Sequence, residues 1–387
     1  MRNWVPISFL FIVTLIAQPV RGQSGSDPLP RRGYFGVGLE KNDAGVRIFT
    51  VSPGSTAAAF GIAVGDILEA VDGQAVSSPE VAVAAIGRHK SGETIKIDLR
   101  RNGGTKTIDV MLKPYPYEQM ENSEVQYSSV VSSSGVRLRT ILSIPRGQPG
   151  ARYPAVLLIQ GGSCASIDTP FSPNLGQTGL VHTIGSQGFV TMRVEKPGVG
   201  DSNGASCETI GYTEELAGYQ AALRSLQSNP SVDSRSIYVL GISLGGVFAP
   251  ILAAETKVAG IIVYGTLAGP PPRYPGRSDR FFREFAEVDV AGAWSKVATR
   301  VQILHGEYDV DPQTNRDAHG RIARIVSDSG TTRPDFRELP GLDHCWTRHV
   351  SLEASKDKCG QGEATAALSD AILDFLKRSE KSGQPPN

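Results

Sequence analysis

Ser243 stands in the stretch VLGISLGG, residues 239 to 246, between Gly241 and Gly245 and directly after an apolar run. A serine hydroxyl is a weak nucleophile, so covalent chemistry requires a base to take its proton and a third group to hold that base. Farther along, VQILHGEYD (301 to 309) is a β-type run that ends in a loop carrying an acid, and LPGLDH (339 to 344) is a loop carrying a histidine. Serine, histidine and aspartate together perform acyl transfer: Ser243 attacks, His344 acts as base and then acid, and Asp309 orients the imidazole. A bare G-x-S-x-G arises easily by chance, so the surrounding elements must decide.

Other residues compete for these roles. Asp311 lies two residues from Asp309, but the G-x-x-D spacing from Gly306 favours Asp309. Asp343, beside His344, reads as a loop-capping residue. His89, His182, His305, His319 and His349 read as structural or exposed, since none ends a loop in the expected place.

The elements that must position these groups follow from the pattern. Ile237–Leu240 reads as a strand and Gly245–Ala253 as a helix, so Ser243 falls on a strand-to-helix turn where only small neighbours fit. The helix behind that turn directs its positive end at the serine. From Val125 to Lys377, the apolar runs AVLLIQGG, FVTMRVEKPG, SIYVLGIS, GIIVYGT and VQILHGE alternate with helical stretches such as Tyr212–Gln227 and Ala364–Arg378. Near-continuous apolar strands separated by helices predict a mostly parallel sheet covered on both faces.

The motifs GISLGG, HGEYD and GLDHC, together with EKPGVGDSNG, resemble the α/β-hydrolase family, nearest to its dienelactone-hydrolase-like esterases and prolyl-oligopeptidase-like domains. The order Ser243, Asp309, His344 is that family's order. The resemblance implies an oxyanion hole built from the Leu244 amide and a second donor in the loop QGGSC after AVLLI. Gly162 is the expected donor, with Ser163 as the alternative. Glutamine replaces the first histidine of the HGGG pattern in that loop. A longer connection between GIIVYGT and VQILHGE is expected to form a short lid. Its Arg273, Arg277, Arg280 and Arg283 suggest either an acidic substrate or, preferably, a solvated basic face over Phe281, Phe282 and Phe285.

Four cysteines, Cys164, Cys207, Cys345 and Cys359, allow three disulfide connectivities, and their spacing fits no C-x-x-C zinc site. The α/β-hydrolase resemblance places the loops of Cys164 and Cys207 after neighbouring strands. It thereby implies a Cys164–Cys207 bridge, with Cys345–Cys359 beside the histidine.

Upstream, Tyr34 to Leu112 holds short β-type runs around one helical stretch, Pro79–Lys90, whose expected apolar face is Val81, Ala84 and Ala85 with Val83 nearby. Asn102-Gly103 signals a hairpin turn. YFGV and VSPGSTAAAFGIAVGDILEAVDGQAV make this segment resemble a PDZ domain of the HtrA-protease type. That resemblance implies strand addition by a peptide whose carboxylate is held by the amides of Phe35, Gly36 and Val37. Arg31 and Arg32 either add charge to that site or belong to a solvated linker.

The chain of 387 residues carries 39 basic and 39 acidic side chains, so no net field directs it to nucleic acid or an anionic membrane. Its first residues, with an uncharged run from Trp4 to Ala17 and a small-x-small site at Val20-Arg21-Gly22, read as a secretory signal rather than a retained anchor, the run being shorter than a membrane span. EKPGVGDSNG lacks the last glycine and the lysine of nucleotide-binding loops and reads as a turn. The expected organisation is a signal peptide at 1–22, linkers at 23–32 and 114–124, a PDZ-like domain at 33–113, an α/β-hydrolase domain at 125–380 and a tail at 381–387. The expected protein is secreted or periplasmic and cleaves carboxylic esters without metal or organic cofactor. A peptidase and a non-catalytic PDZ scaffold are the alternatives.

Overall fold

The computed structural model describes residues 29–269, Arg273 and 276–382; the expected signal segment and the last five residues lie outside the described residues. The first sheet comprises β1 (Val37–Asn42), β2 (Gly45–Val51), β3 (Ile67–Val71), β4 (Thr94–Arg101) and β5 (Gly104–Met111), paired antiparallel in that order. The two-residue strand Gln74–Ala75 pairs with β3. In β4, Ile95, Ile97 and Leu99 point into the core while Thr94 and Lys96 face solvent, the period-2 alternation of a half-buried strand. Asn102 and Gly103, both at positive φ, make the tight turn from β4 to β5.

Helix α1 (Pro79–Gly87) begins at Ser78, whose hydroxyl accepts the Val81 N–H. Its buried face is Ala82, Ala85 and Ile86, while Val83 is 65% exposed, which corrects the expected face. Ile86 is the largest apolar residue on the helix. Ala82 and Ala85, four and one positions before it, share its side, so the helix turns to bury that stripe.

The second sheet has eight strands: β6 (Ser123–Val131), β7 (Arg137–Pro145), β8 (Tyr153–Ile159), β9 (Val190–Val194), β10 (Val232–Ile242), β11 (Gly260–Tyr264), β12 (Arg300–Gly306) and β13 (Asp335–Leu339). Their spatial order is β13-β12-β11-β10-β8-β9-β7-β6. β6 and β7 run antiparallel at one edge, and the six others are mutually parallel.

Successive residues of β10 alternate between two cores. Ile237 and Val239 join a cluster with Tyr219, Phe248, Phe285, Trp294 and Val326, whereas Tyr238, Leu240 and Ile242 join Val181, Ile184, Ile372 and Phe375. The first cluster is supplied by α3 (Tyr212–Ser228), α4 (Gly245–Glu255), α5 (Asp279–Ala286), α6 (Val290–Ser295) and α7 (Arg316–Asp328). The second is supplied by α2 (Gly176–Gly185) and α8 (Ala367–Ser382). Both sheet faces are therefore covered, as the apolar runs require. α8 starts later than expected, after Thr365 accepts the Ala367 N–H.

Arg31 and Arg32 correct both readings offered for them. Arg31 is buried and donates to Asp168 and to Asp201 at 2.8 Å, carboxylates in the loops that follow β8 and β9. Arg32 donates to Ser166 Oγ at 3.0 Å and to the Asp168 carbonyl at 3.0 Å. Tyr34 packs its ring against Tyr115 and Phe171, at 5.7 and 5.3 Å. The segment before the first sheet is thus locked to the second unit by ion pairs that link residues more than 130 positions apart in sequence.

Candidate active site

Ser243 follows β10 and precedes α4, with φ +52, the left-handed region in which a non-glycine residue is strained. The strain is held by its surroundings. The Ser243 N–H donates to the Tyr264 carbonyl at 2.9 Å, and an added Cβ on Gly241 would sit 2.5 Å from Gly246 Cα. A Cβ on Gly245 would meet the Gln160 carbonyl oxygen at 2.8 Å, so both flanking glycines are sterically required.

Asp309 stands in the loop after β12 and His344 in the loop after β13, at the same ends of parallel strands as Ser243. His344 Nε2 is 3.1 Å from Ser243 Oγ, and His344 Nδ1 is 2.6 Å from Asp309 Oδ2. Asp309 is itself fixed: Thr314 Oγ1 donates to its Oδ1 at 2.6 Å, and His305 Nε2 lies 3.0 Å from its carbonyl oxygen. Asp311 lines the same cavity but its carboxylate accepts the Gln313 N–H at 2.8 Å, and no hydrogen bond joins it to His344. Desolvation opposes the charged form of His344, but the hydrogen bond and charge of Asp309, followed by Asp311 and Asp343, raise its pKa above 6.5.

Asp343 caps the histidine loop, accepting the N–H groups of Thr347 at 2.8 Å and Gly360 at 2.9 Å. Tyr264, buried beneath, donates its hydroxyl to the Asp343 carbonyl at 2.5 Å. The remaining histidines have other partners. His319 donates through Nδ1 to Asn315 and accepts the Thr266 N–H, and burial lowers its pKa to about 4. His89 contacts Asp72 and Glu93, His182 contacts Glu118, and His349 contacts Asp343.

Leu244 is at the N-terminal end of α4, and Gly162, in the loop after β8, lines the same cavity. Two disulfides, Cys164–Cys207 and Cys345–Cys359, form as expected, and none of the four cysteines is free. The first ties the Gly162 loop to the loop after β9, and the second ties the His344 loop to itself. Sequence reasoning missed Lys196, which was folded into a run read as a turn. Its Nζ donates beneath the Gly162 loop to the carbonyls of Gly161 and Ser163, at 2.6 and 2.9 Å. Burial lowers its pKa to about 8 against the pull of Glu215, and burial raises neighbouring Glu195 to about 7.

Ser243 and His344 face a cavity of about 1000 Å³ whose walls include Leu244, Leu267 and the Cys164 disulfide. Besides His344, the titratable side chains among its described lining residues are the carboxylates Glu208, Asp309 and Asp311. The connection before β12 touches this cavity at Gly276 and is rooted in the core through Phe281, Phe285 and Trp294. None of its described arginines lines the cavity, and three of them are paired with carboxylates. Arg277 is buried against Glu215, Arg280 pairs with Glu214 and Glu284 at 2.7 Å, and Arg273 pairs with Asp279 at 2.9 Å.

In the first sheet, β1 is an edge strand with α1 beside it. Phe35 and Gly36 form the loop that enters β1 at Val37, and Gly36 adopts φ +77. The carbonyls of Phe35 and Gly36 are taken by the N–H groups of Ala57 and Ser52, at 3.0 and 2.9 Å.

Residues 33–112 match the PDZ domain family. Over 129 residues the chain is 26% identical to Esterase EstD of Thermotoga maritima, covering 33% of this chain and 30% of that protein. Over 117 residues it is 29% identical to the "Probable periplasmic serine endoprotease DegP-like" of Halomonas elongata, covering 27% of this chain and 24% of that one. The matches thus span less than a third of the length of these relatives. The solved structure of Est1E from Butyrivibrio proteoclasticus with ferulic acid bound shares the fold with a TM-score of 0.50 at 19% identity, covering 66% of this chain and 99% of that one. The chain therefore combines a PDZ domain with an α/β-hydrolase fold. Among the described residues no helix is long and apolar enough to cross a membrane.

Proposed function

We propose that this chain is an exported serine hydrolase that cleaves carboxylic esters through an acyl-enzyme on Ser243. The observation that carries the reading is the hydrogen-bonded series Asp309, His344, Ser243 on a strained turn facing the cavity. His344 Nε2 takes the hydroxyl proton as Ser243 Oγ attacks the ester carbonyl. The oxyanion then accepts the N–H groups of Leu244 and Gly162. Collapse breaks the bond to the alkoxy oxygen, which leaves with the proton from His344. Water repeats the sequence on the acyl-enzyme, with His344 again removing a proton, and releases the carboxylic acid. Export is supported by two disulfides, which persist in oxidising compartments.

The PDZ domain, with β1 as a free edge beside α1, would receive a peptide C-terminus at Phe35, Gly36 and Val37. That module favours a second reading, a peptidase to which polypeptide is delivered. A matched pair of substrates separates the two: one acyl group presented as an aryl ester and as an anilide. The ester is turned over and the anilide at least about 10²-fold more slowly, whereas comparable rates would establish the peptidase. The acidic cavity lining also favours neutral acyl groups. A hemisuccinate ester reacts more slowly than its neutral methyl-capped counterpart, and faster turnover of the anion would contradict that assignment.

A further inference from the structure

Lys196 is a buried lysine whose surroundings use every donor it has. Its side chain is 0% exposed, and its Nζ lies 2.6 Å from Gly161 O, 2.9 Å from Ser163 O and 3.1 Å from Glu215 Oε1. Burying an ammonium is costly unless it is paired and fully hydrogen-bonded, and here it is both. Glu215 is in turn held by Arg277 and by the Tyr219 hydroxyl at 3.0 Å, so the ammonium has a fixed anchor on α3.

The two carbonyls belong to the loop that contributes Gly162 to the cavity wall. All described peptide bonds are trans, and in a trans peptide the C=O and the following N–H point in opposite directions. Lys196 is fully buried and does not line the cavity, whereas Gly162 and Ser163 do. A Gly161 carbonyl directed at Lys196 therefore turns the Gly162 N–H away from the lysine, and Gly162 shares the cavity wall with Ser243. The Ser163 N–H belongs to the next peptide, whose carbonyl Lys196 does not bind. Gly161 itself is close to the nucleophile, since a Cβ built there would be 3.2 Å from Ser243 Cβ. Glycines at 161 and 162 leave this backbone free to rotate unless something outside holds it.

We propose that Lys196 is a positioning residue for ester hydrolysis: by gripping the Gly161 and Ser163 carbonyls from below, it aims the Gly162 N–H at the developing oxyanion. This rests on the serine-hydrolase reading. Lys196 touches no reacting atom. Without it, the Gly161 carbonyl has lost its partner, and the peptide can rotate to present oxygen rather than N–H to the cavity.

The test compares full-length wild type with Lys196→Met, Lys196→Gln and Ser243→Ala. It reads kcat and KM on a neutral aryl ester, the inhibition constant of an alkylboronic acid that forms a tetrahedral adduct on serine, and thermal melting. In Lys196→Met, kcat falls about 10²–10³-fold, the effect of losing one oxyanion donor, while KM stays within about threefold. Boronate affinity falls by the same factor as kcat/KM, which a merely structural role would not produce. Lys196→Gln, which keeps an amide donor, loses less. Should the methionine variant fail to fold, the glutamine variant decides by the same parallel between kcat and boronate affinity. A kcat within about threefold of wild type, or a kcat loss with unchanged boronate affinity, overturns the proposal. An inactive wild type, or an active Ser243→Ala, overturns the hydrolase reading instead.

Discussion

Asp309→Asn lowers kcat for ester hydrolysis by about 10⁴-fold, and His344→Ala lowers it by at least as much. The carboxylate keeps the His344 Nδ1 proton facing Asp309 Oδ2 at 2.6 Å, which leaves Nε2 free to take the Ser243 proton at 3.1 Å. Asparagine can present its amide hydrogens to Nδ1, favouring the tautomer with the proton on Nε2, where it cannot act as base. The pH profile carries an independent signature. His344 works as a base only when neutral, and its pKa lies above 6.5 because Asp309, with Asp311 and Asp343, outweighs desolvation. Activity of the wild type therefore rises with pH through an apparent pKa above 6.5. In Asp309→Asn the residual activity rises at lower pH, because desolvation remains and the largest favourable partner is gone. A kcat/KM profile whose acidic limb does not move would contradict this role for Asp309.

Arg31→Ala destabilises the protein by about 3–5 kcal/mol, the effect of removing one partner from a buried ion-pair cluster. Arg31 and Asp201 are 4% and 2% exposed, and the substitution leaves Asp201 with one cationic side chain, Arg139 at 3.0 Å, beside the Arg32 backbone N–H at 2.8 Å. Asp168 keeps the Tyr127 hydroxyl at 2.8 Å, but its remaining cationic partner is Arg32 at the longer distance of 3.5 Å. Arg47→Ala, which removes an exposed pair with Glu40, changes stability by about 0–1 kcal/mol and serves as the control. Urea unfolding of the two variants measures the difference, and equal midpoints would show that the Arg31 cluster adds no stability. Acid acts on the neighbouring charges in the same direction. Desolvation of Glu118 is outweighed by His182 and Arg193, which together hold its pKa at about 2, below the ordinary 4.5. Its contribution is therefore complete above pH 4.5 and is lost as pH falls towards 2.

These two predictions mark where the sequence was legible and where it was not. Gly241 and Gly245 around Ser243 were readable because a strand-to-helix turn leaves no room for a Cβ at either position, and the structure shows the steric reason. The two-core strands were readable because continuous apolar runs have few alternatives to a covered parallel sheet. The Cys164–Cys207 and Cys345–Cys359 pairs were legible through the α/β-hydrolase resemblance, which implied them. By contrast, Arg31 and Lys196 carry no local signal. A charged residue in a polar stretch looks solvated until the partners that bury it, Asp168 and Asp201 or Glu215 and two carbonyls, are placed by the fold. The misjudged face of α1 has a milder cause. Val83 is apolar enough to suggest a core position, and the pattern alone could not weigh it against Ile86.

The most direct test of the account is to trap the acyl-enzyme. Full-length protein is mixed with excess activated aryl ester, quenched in acid within the first turnovers and digested for mass spectrometry. The expected result is a burst of aryl alcohol approaching one equivalent and the acyl mass on the peptide containing Ser243, both absent in Ser243→Ala. Ester turnover with no acyl mass on that peptide, or with an equal burst from Ser243→Ala, would contradict it.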